Sequence, residues 1–300
     1  MGLINDTGIR RRARTWFRRK GGRSRALRLI RRGLLLADGL SEIVQSRWYF
    51  AWSGAAPKNL VPQFLGIGAQ KAATTWLDSV LRMHADLQLP HHRKEIHYFD
   101  RNRWKGDKWY LWHFRGGEGR LRGEITPAYS TLTELNYVSC LNNRLKIIFI
   151  LRNPVERAWS MARMDLADTK GISVEDVGEQ RMIRHIRSEK SRARGSYASV
   201  ILRWQKVFGK KNLFIGFTEE ILEDPVVFLS RLLVFLDVDP SRMPWEALNI
   251  RERVHAGSDG RIPKSVWNEL SCLYFDELSE LHKLLDSRYT WLWLRALQDN

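Results

Sequence analysis

The sequence predicts an α/β protein: a P-loop-like central parallel sheet flanked by helices, with a basic helical N-terminal extension. Three observations carry this. Leu145-Lys-Ile-Ile-Phe-Ile-Leu151 is a continuous apolar, β-branched run of the kind buried on both faces of a parallel sheet. Phe64-Leu-Gly-Ile-Gly68 is a second apolar run, and it passes through a loop holding Lys71 into a helix led by Thr74 and Thr75. The remaining strand candidates are separated by helical periods, with no hairpin signal between them.

Three hundred residues suffice for a full core. The formal net charge is +17, which favours acidic partners: a phosphorylated cofactor, an acidic glycan, anionic lipid or nucleic acid. That charge is unevenly placed. Residues 1–60 hold 14 Lys/Arg against three Asp/Glu, so +11 lies there and the other 240 residues carry only +6. The folded body is therefore not expected to read nucleic acid. Residues 1–32 interleave twelve basic residues with Trp16, Phe17, Leu27, Leu29 and Ile30, a pattern suited to a solvated tail or to an anionic membrane face touched through residues 1–50. No apolar run reaches the length of a membrane span, and no secretory signal is evident. The expected location is cytoplasmic, with membrane-peripheral contact through the basic segment. Cys140 and Cys272 sit in apolar, helix-like contexts without metal spacing and are expected to be structural, reduced thiols.

Taken in order, residues 33–52 read as a helix, and Ser53-Gly-Ala-Ala-Pro57 as a linker. This divides a basic extension, 1–58, from a domain at 59–300. After the Thr74 helix, Glu95, His97 and Phe99 are expected to share one face of an extended segment. Trp104–Phe114 and Leu132–Leu141 are expected to be helical, and Gly123-Glu-Ile-Thr-Pro127 a short strand ending in a turn. Arg152-Asn153-Pro154 ends the 145–151 strand and starts a helix to about Leu166, with Pro at its first position. Arg157 and Arg163 on that helix are read as surface residues. Further helices are expected over 174–191, from Gly195-Ser196-Tyr197, at 219–222, at 226–236 and at 264–285. A strand is expected at 212–217 and a polar loop at 251–262.

The Gly66–Thr75 stretch has the chemistry of a phosphate cradle. Glycines allow a tight turn and close approach, helix N–H groups face an anion, and Lys71 adds a point charge. It is not a Walker A loop, because two alanines separate Lys71 from Thr74.

Gly68-Ala-Gln-Lys71-Ala-Ala-Thr74-Thr75-Trp-Leu resembles the 5′-phosphosulfate loop of sulfotransferases that use 3′-phosphoadenosine 5′-phosphosulfate (PAPS). Phe149-Ile-Leu-Arg152-Asn-Pro-Val-Glu-Arg-Ala-Trp-Ser160 resembles their 3′-phosphate motif. Lys94-Glu95-Ile-His-Tyr-Phe-Asp100, Gly123-Glu-Ile-Thr-Pro-Ala-Tyr129 and Gly195-Ser-Tyr197 are similar to segments of the heparan-sulfate branch, and the resemblance covers roughly 60–300. It implies a bacterial-type enzyme that moves the sulfuryl group of PAPS to a hydroxyl or amine of a carbohydrate or glycolipid-like acceptor, releasing PAP. No metal is implied, and the run His91, His92, Glu95, His97 matches no metal motif. By the resemblance, Gly68, Gln70, Lys71, Ala72, Ala73, Thr74 and Thr75 hold the phosphosulfate and Arg152 with Ser160 the 3′-phosphate. Tyr197, Gly260 and Arg261 are further cofactor candidates. Lys71 stabilises the leaving group, and Glu95 is the base, with His97 as the alternative base. One departure is that animal heparan-sulfate enzymes usually place a Lys after the Glu where this chain has Glu124-Ile125, so a heparan-like acidic acceptor does not carry over.

Two other classes compete. A P-loop kinase requires Mg²⁺ and ATP, against the absent Walker features. A non-enzymatic polyanion- or membrane-binding protein would depend on residues 1–55, whereas an enzyme would keep turnover in 60–300.

Overall fold

A computed structural model describes residues 25–53, 57–168, 171–247 and 262–298. Contacts divide the chain between Ser53 and Gly54 into two units. In the first, α1 spans Arg25–Trp52, with side chains described from Asp38 onward, so this helix begins before the position its apolar pattern suggests.

The second unit is organised by β1 (Phe64–Gly68), every residue of which is buried. It leads into α2 (Thr74–Leu81), whose Trp76, Leu77, Val80 and Leu81 pack into the core. There follow β2 (Leu87–Gln88), α3 (Asp107–Trp112), β3 (Leu121–Ile125), α4 (Asn136–Leu141), β4 (Lys146–Leu151) and α5 (Pro154–Leu166). Three short helices come next: α6 (Val174–Val177), α7 (Glu179–Ile186) and α8 (Glu189–Ala193). The chain continues through α9 (Tyr197–Phe208), β5 (Leu213–Phe217), α10 (Thr218–Glu223), α11 (Pro225–Phe235), α12 (Lys264–Leu285) and α13 (Arg288–Gln298). The strands form one sheet in the order β2-β3-β1-β4-β5, and every pairing is parallel. All strands therefore end on one edge, where such sheets bind ligands.

β4 is central and apolar as its sequence predicts, with Ile147–Leu151 fully buried. Its end is set by Asn153, whose side chain accepts a bond from the Val155 N–H and caps α5, while Pro154 occupies the first helical position.

Several expectations change. The 104–114 helix is shorter, because Gly106 at φ 83° separates a 3-10 turn from α3. The 132–141 helix starts only at Asn136, after a 3-10 turn over Pro127–Thr131. The extended segment ending at Phe99 does not form. His97 takes a left-handed conformation (φ 55°), and a π-helical turn runs from Tyr98 to Asn102. Phe99 instead packs edge-on to Tyr110 and Tyr129. Arg157, expected at the surface, is wholly buried and donates to Ser191 O at 3.1 Å and Tyr274 Oη at 3.0 Å. Cys140 and Cys272 lie on helices as expected but are exposed, not packed.

Candidate active site

The loop between β1 and α2 lies on the C-terminal edge of the sheet. Lys71 (φ 70°) and Ala73 (φ 52°) are both left-handed, which curls successive N–H groups into a concavity. Ala73 precedes α2 and provides no side-chain cap, so the first-turn N–H groups of that helix receive no acceptor from the N-cap position. Gly68 must be glycine here: its φ is 153°, and a Cβ would lie 3.1 Å from the Phe149 ring and 3.2 Å from Pro127 O. Thr74 is buried and Thr75 exposed beside it, and the Gln70 side-chain oxygen is buried without a partner.

Arg152, at the end of β4, reaches this loop, donating from Nη1 to Lys71 O at 3.2 Å. Its Nε and Nη2 also bond Glu156 Oε2 at 3.2 and 3.1 Å. Burial lowers the Lys71 pKa, and the adjacent Arg152 and Arg163 charges lower it further, against Asp168 and Asp165. A half-buried ammonium among guanidinium groups suits an anion. Ser160 is half-buried on α5, one turn past Glu156. The fully buried Tyr197 donates its hydroxyl to Arg152 O at 3.0 Å, so it braces the β4 end. Gly260 and Arg261 lie outside the described residues.

Glu95 and His97 do meet, at 3.1 Å between His97 Nε2 and Glu95 Oε2. The other ring nitrogen, Nδ1, is 2.9 Å from Asp100 Oδ2. Hydrogen bonds from the imidazole to Asp100 and then to Glu95 raise its pKa to about 9, against its burial. It is therefore an imidazolium at neutral pH, with both nitrogens engaged, which does not suit it to be a base. For Glu95 burial alone would raise the pKa, but the His97 bond and the Lys94 charge outweigh it and hold the carboxyl below its ordinary range.

Four residues beyond the sequence-based set complete the arrangement. Lys94 Nζ lies 2.9 Å from Thr75 Oγ1, 3.5 Å from Thr74 Oγ1 and 3.3 Å from Glu95 Oε1, linking the cradle to the carboxylate. Asp100 orients His97. Glu124 is fully buried and accepts from Thr126 Oγ1 (2.6 Å), Tyr110 Oη (2.8 Å), Tyr129 Oη (2.9 Å) and the Ile96 N–H (3.3 Å). Tyr129 Oη in turn accepts from the Tyr98 N–H at 2.8 Å. The amides on either side of His97 are thus tied to one buried cluster, which holds its left-handed turn. Lys94 and Asp100 were visible in the quoted motif; the roles of Glu124 and Tyr129 arise from a contact across about 30 residues that local pattern does not show. Ile125 is fully buried at the end of β3 beside β1, where a Cβ on Gly66 would meet it at 2.8 Å, so this position brings no cation to the site. Arg82 joins the two sides, bonding Asp78 on α2 and Pro90 O at 2.7 Å.

An all-parallel sheet whose β1 turns through a cation-bearing loop into a helix defines a P-loop-like α/β protein. Residues 62–255 match the sulfotransferase domain family, and the chain belongs to that family. It is 30% identical over 190 residues to human heparan sulfate glucosamine 3-O-sulfotransferase 3B1, covering 62% of this chain and 48% of that protein. It is 39% identical over 107 residues to the membrane-associated sulfotransferase kil1 of Dictyostelium discoideum, covering 33% of this chain and 22% of that protein. The chain thus matches about half the length of the heparan sulfate relative and less of kil1. A sulfotransferase from Alicyclobacillus acidocaldarius shares the fold, with a TM-score of 0.63 at 24% identity over 79% of this chain and 98% of that one.

Proposed function

We propose that this protein transfers the sulfuryl group of PAPS to a hydroxyl, or an amine, of a carbohydrate or glycolipid-like acceptor, releasing PAP. The observation that carries it is the juxtaposition through Lys94 of a cation-rich cradle and an ionised carboxylate. The fit to PAPS rests on donor chemistry. The curled 70–75 backbone, Lys71, Lys94 and the two threonines suit a phosphosulfate. Arg152 and Ser160 suit the separate 3′-phosphate, Arg152 exchanging its Glu156 partner for it. PAPS supplies an activated sulfuryl group whose leaving phosphate gains negative charge.

In the reaction the acceptor oxygen or nitrogen attacks sulfur in line, and the sulfur–oxygen bond to the phosphate breaks. Lys71 stabilises the charge that grows on that bridging oxygen; a preorganised donor of this kind is worth roughly 3 kcal/mol. Glu95 takes the acceptor proton, and its low pKa keeps it ionised throughout the neutral range. His97 holds one Glu95 oxygen, leaving the carboxylate oriented. The carbohydrate acceptor class is supported by the heparan sulfate relatives, which are named for glucosamine 3-O-sulfation. With Ile125 in the core, the acidic character of that substrate is not assumed.

The test is transfer of labelled sulfate from PAPS, with a chelator present, to a panel of desulfated polysaccharides and glycolipids. Label in at least one acceptor, lost in Glu95→Gln, supports the reading. A folded protein that labels no member of the panel and does not bind PAP contradicts it.

A further inference from the structure

Beyond the sheet, the strongest unexplained feature is one face of α1. Leu40, Val44, Trp48 and Trp52 follow one another at single-turn spacing and are 57%, 53%, 60% and 78% exposed. Trp48 and Trp52 stack with their centroids 5.9 Å apart. Elsewhere around the helix Gly39 and Ser46 are buried, and Ile43 and Phe50 partly so. Among its described side chains, large apolar residues of this helix thus meet solvent. Such a stripe is a contact surface in waiting. Asp38 and Glu42 fall off it, while Arg47 is exposed one turn from Val44.

We propose that this face lies in the headgroup region of an anionic lipid bilayer, with the apolar stripe inserted and the helix parallel to the membrane plane. Two properties select lipid over another protein surface. First, residues 1–32 carry twelve Lys/Arg, four of them (Arg25, Arg28, Arg31, Arg32) in the opening turns of α1 itself, which complements an anionic surface. Second, the stripe ends in a pair of tryptophans, the side chain that settles best between headgroup and acyl chain. Among the described residues no helix is long and apolar enough to cross a membrane, so the geometry is interfacial. Insertion and charge supply two weak anchors that together give reversible binding. This is independent of the PAPS reading, since no residue of the cradle or of the Glu95 loop takes part.

The test is co-sedimentation of the full chain with vesicles of phosphatidylcholine alone and with added phosphatidylserine, at two salt concentrations. Wild type should bind the anionic vesicles, more weakly at high salt. The combined variant Val44→Gln, Trp48→Gln, Trp52→Gln should bind about tenfold less tightly at either salt. Trp291→Gln, which removes a comparably exposed tryptophan from α13, should leave binding unchanged. Circular dichroism and PAP affinity report whether each variant is folded. Three outcomes would overturn the assignment: no binding of wild type to anionic vesicles; equal binding of wild type and the triple variant, meaning that charge alone acts; or a wild-type dimer that the triple variant makes monomeric, meaning that a second copy covers the face.

Discussion

The two halves of the site are opposites in charge balance. Around Lys71 the balance favours cations: burial and Arg152 drive its pKa down, and Asp168 and Asp165 offset only part of that. Around His97 the neighbours are carboxylates, and its pKa is driven up to about 9 by Asp100 and Glu95. One half is short of an anion and the other already holds its counter-charges. The difference separates a place that waits for a ligand from a place already set for chemistry. It also predicts which substitutions weaken ligand binding and which affect turnover alone.

The largest expected effects fall on the two groups placed at the reacting atoms, one in each half. Lys71→Ala should lower kcat about 10²–10³-fold, as for loss of an oxyanion donor, and should weaken PAP binding as well. Glu95→Gln should lower kcat by about 10²–10⁴-fold while PAP affinity stays at the wild-type value. Equal losses of PAP affinity in both variants, measured by calorimetry, would erase the distinction between the halves.

The fold was readable from short-range pattern because its determinants are local. The apolar run of β4, the turn chemistry at Arg152-Asn153-Pro154 and the Gly68–Thr75 loop each lie within about a dozen residues. The half around Lys71 is likewise one loop plus one strand end, so local sequence places its candidate residues together. The half around Glu95 is different. Its candidate carboxylate, Glu95, is legible only by motif, and the left-handed His97 and the following π-helical turn depend on Glu124 and Tyr129, far along the chain. Periodicity favoured an extended segment because nothing local opposed it. Arg157 was misplaced for a similar reason: its partners Ser191 and Tyr274 arrive from later helices.

A subtler test uses pH. His97 holds Glu95 as an imidazolium, so kcat/KM should fall on the alkaline side as His97 loses its proton near pH 9. Asp100→Asn removes the largest cause of that elevation and should shift the alkaline limb down by about one unit or more. Stability should follow the same sign. The folded pKa lies above the ordinary 6.5, so the His97 contribution is complete below that pH and is lost as pH rises through about 9. Thermal melts of wild type should drop across that window, and those of Asp100→Asn should drop less.

The smallest expected effect on chemistry comes from the buried support. Glu124→Gln leaves the shape but weakens the bonds to Ile96, Tyr110, Tyr129 and Thr126, and should cost about 1–3 kcal/mol of stability. Because it ties down the 96–98 backbone, kcat should fall more than PAP affinity. A variant that melts early but turns over normally at low temperature would confine Glu124 to a structural role.

The measurement that bears most directly on the central claim is calorimetric binding of PAP, free of metal, to wild type, Lys71→Ala and Arg152→Ala. Two anion sites of like importance predict tight binding by wild type and a loss of about tenfold or more in each variant. Wild-type affinity in both folded variants, or no binding by wild type itself, would show that the cations around Lys71 do not await this ligand.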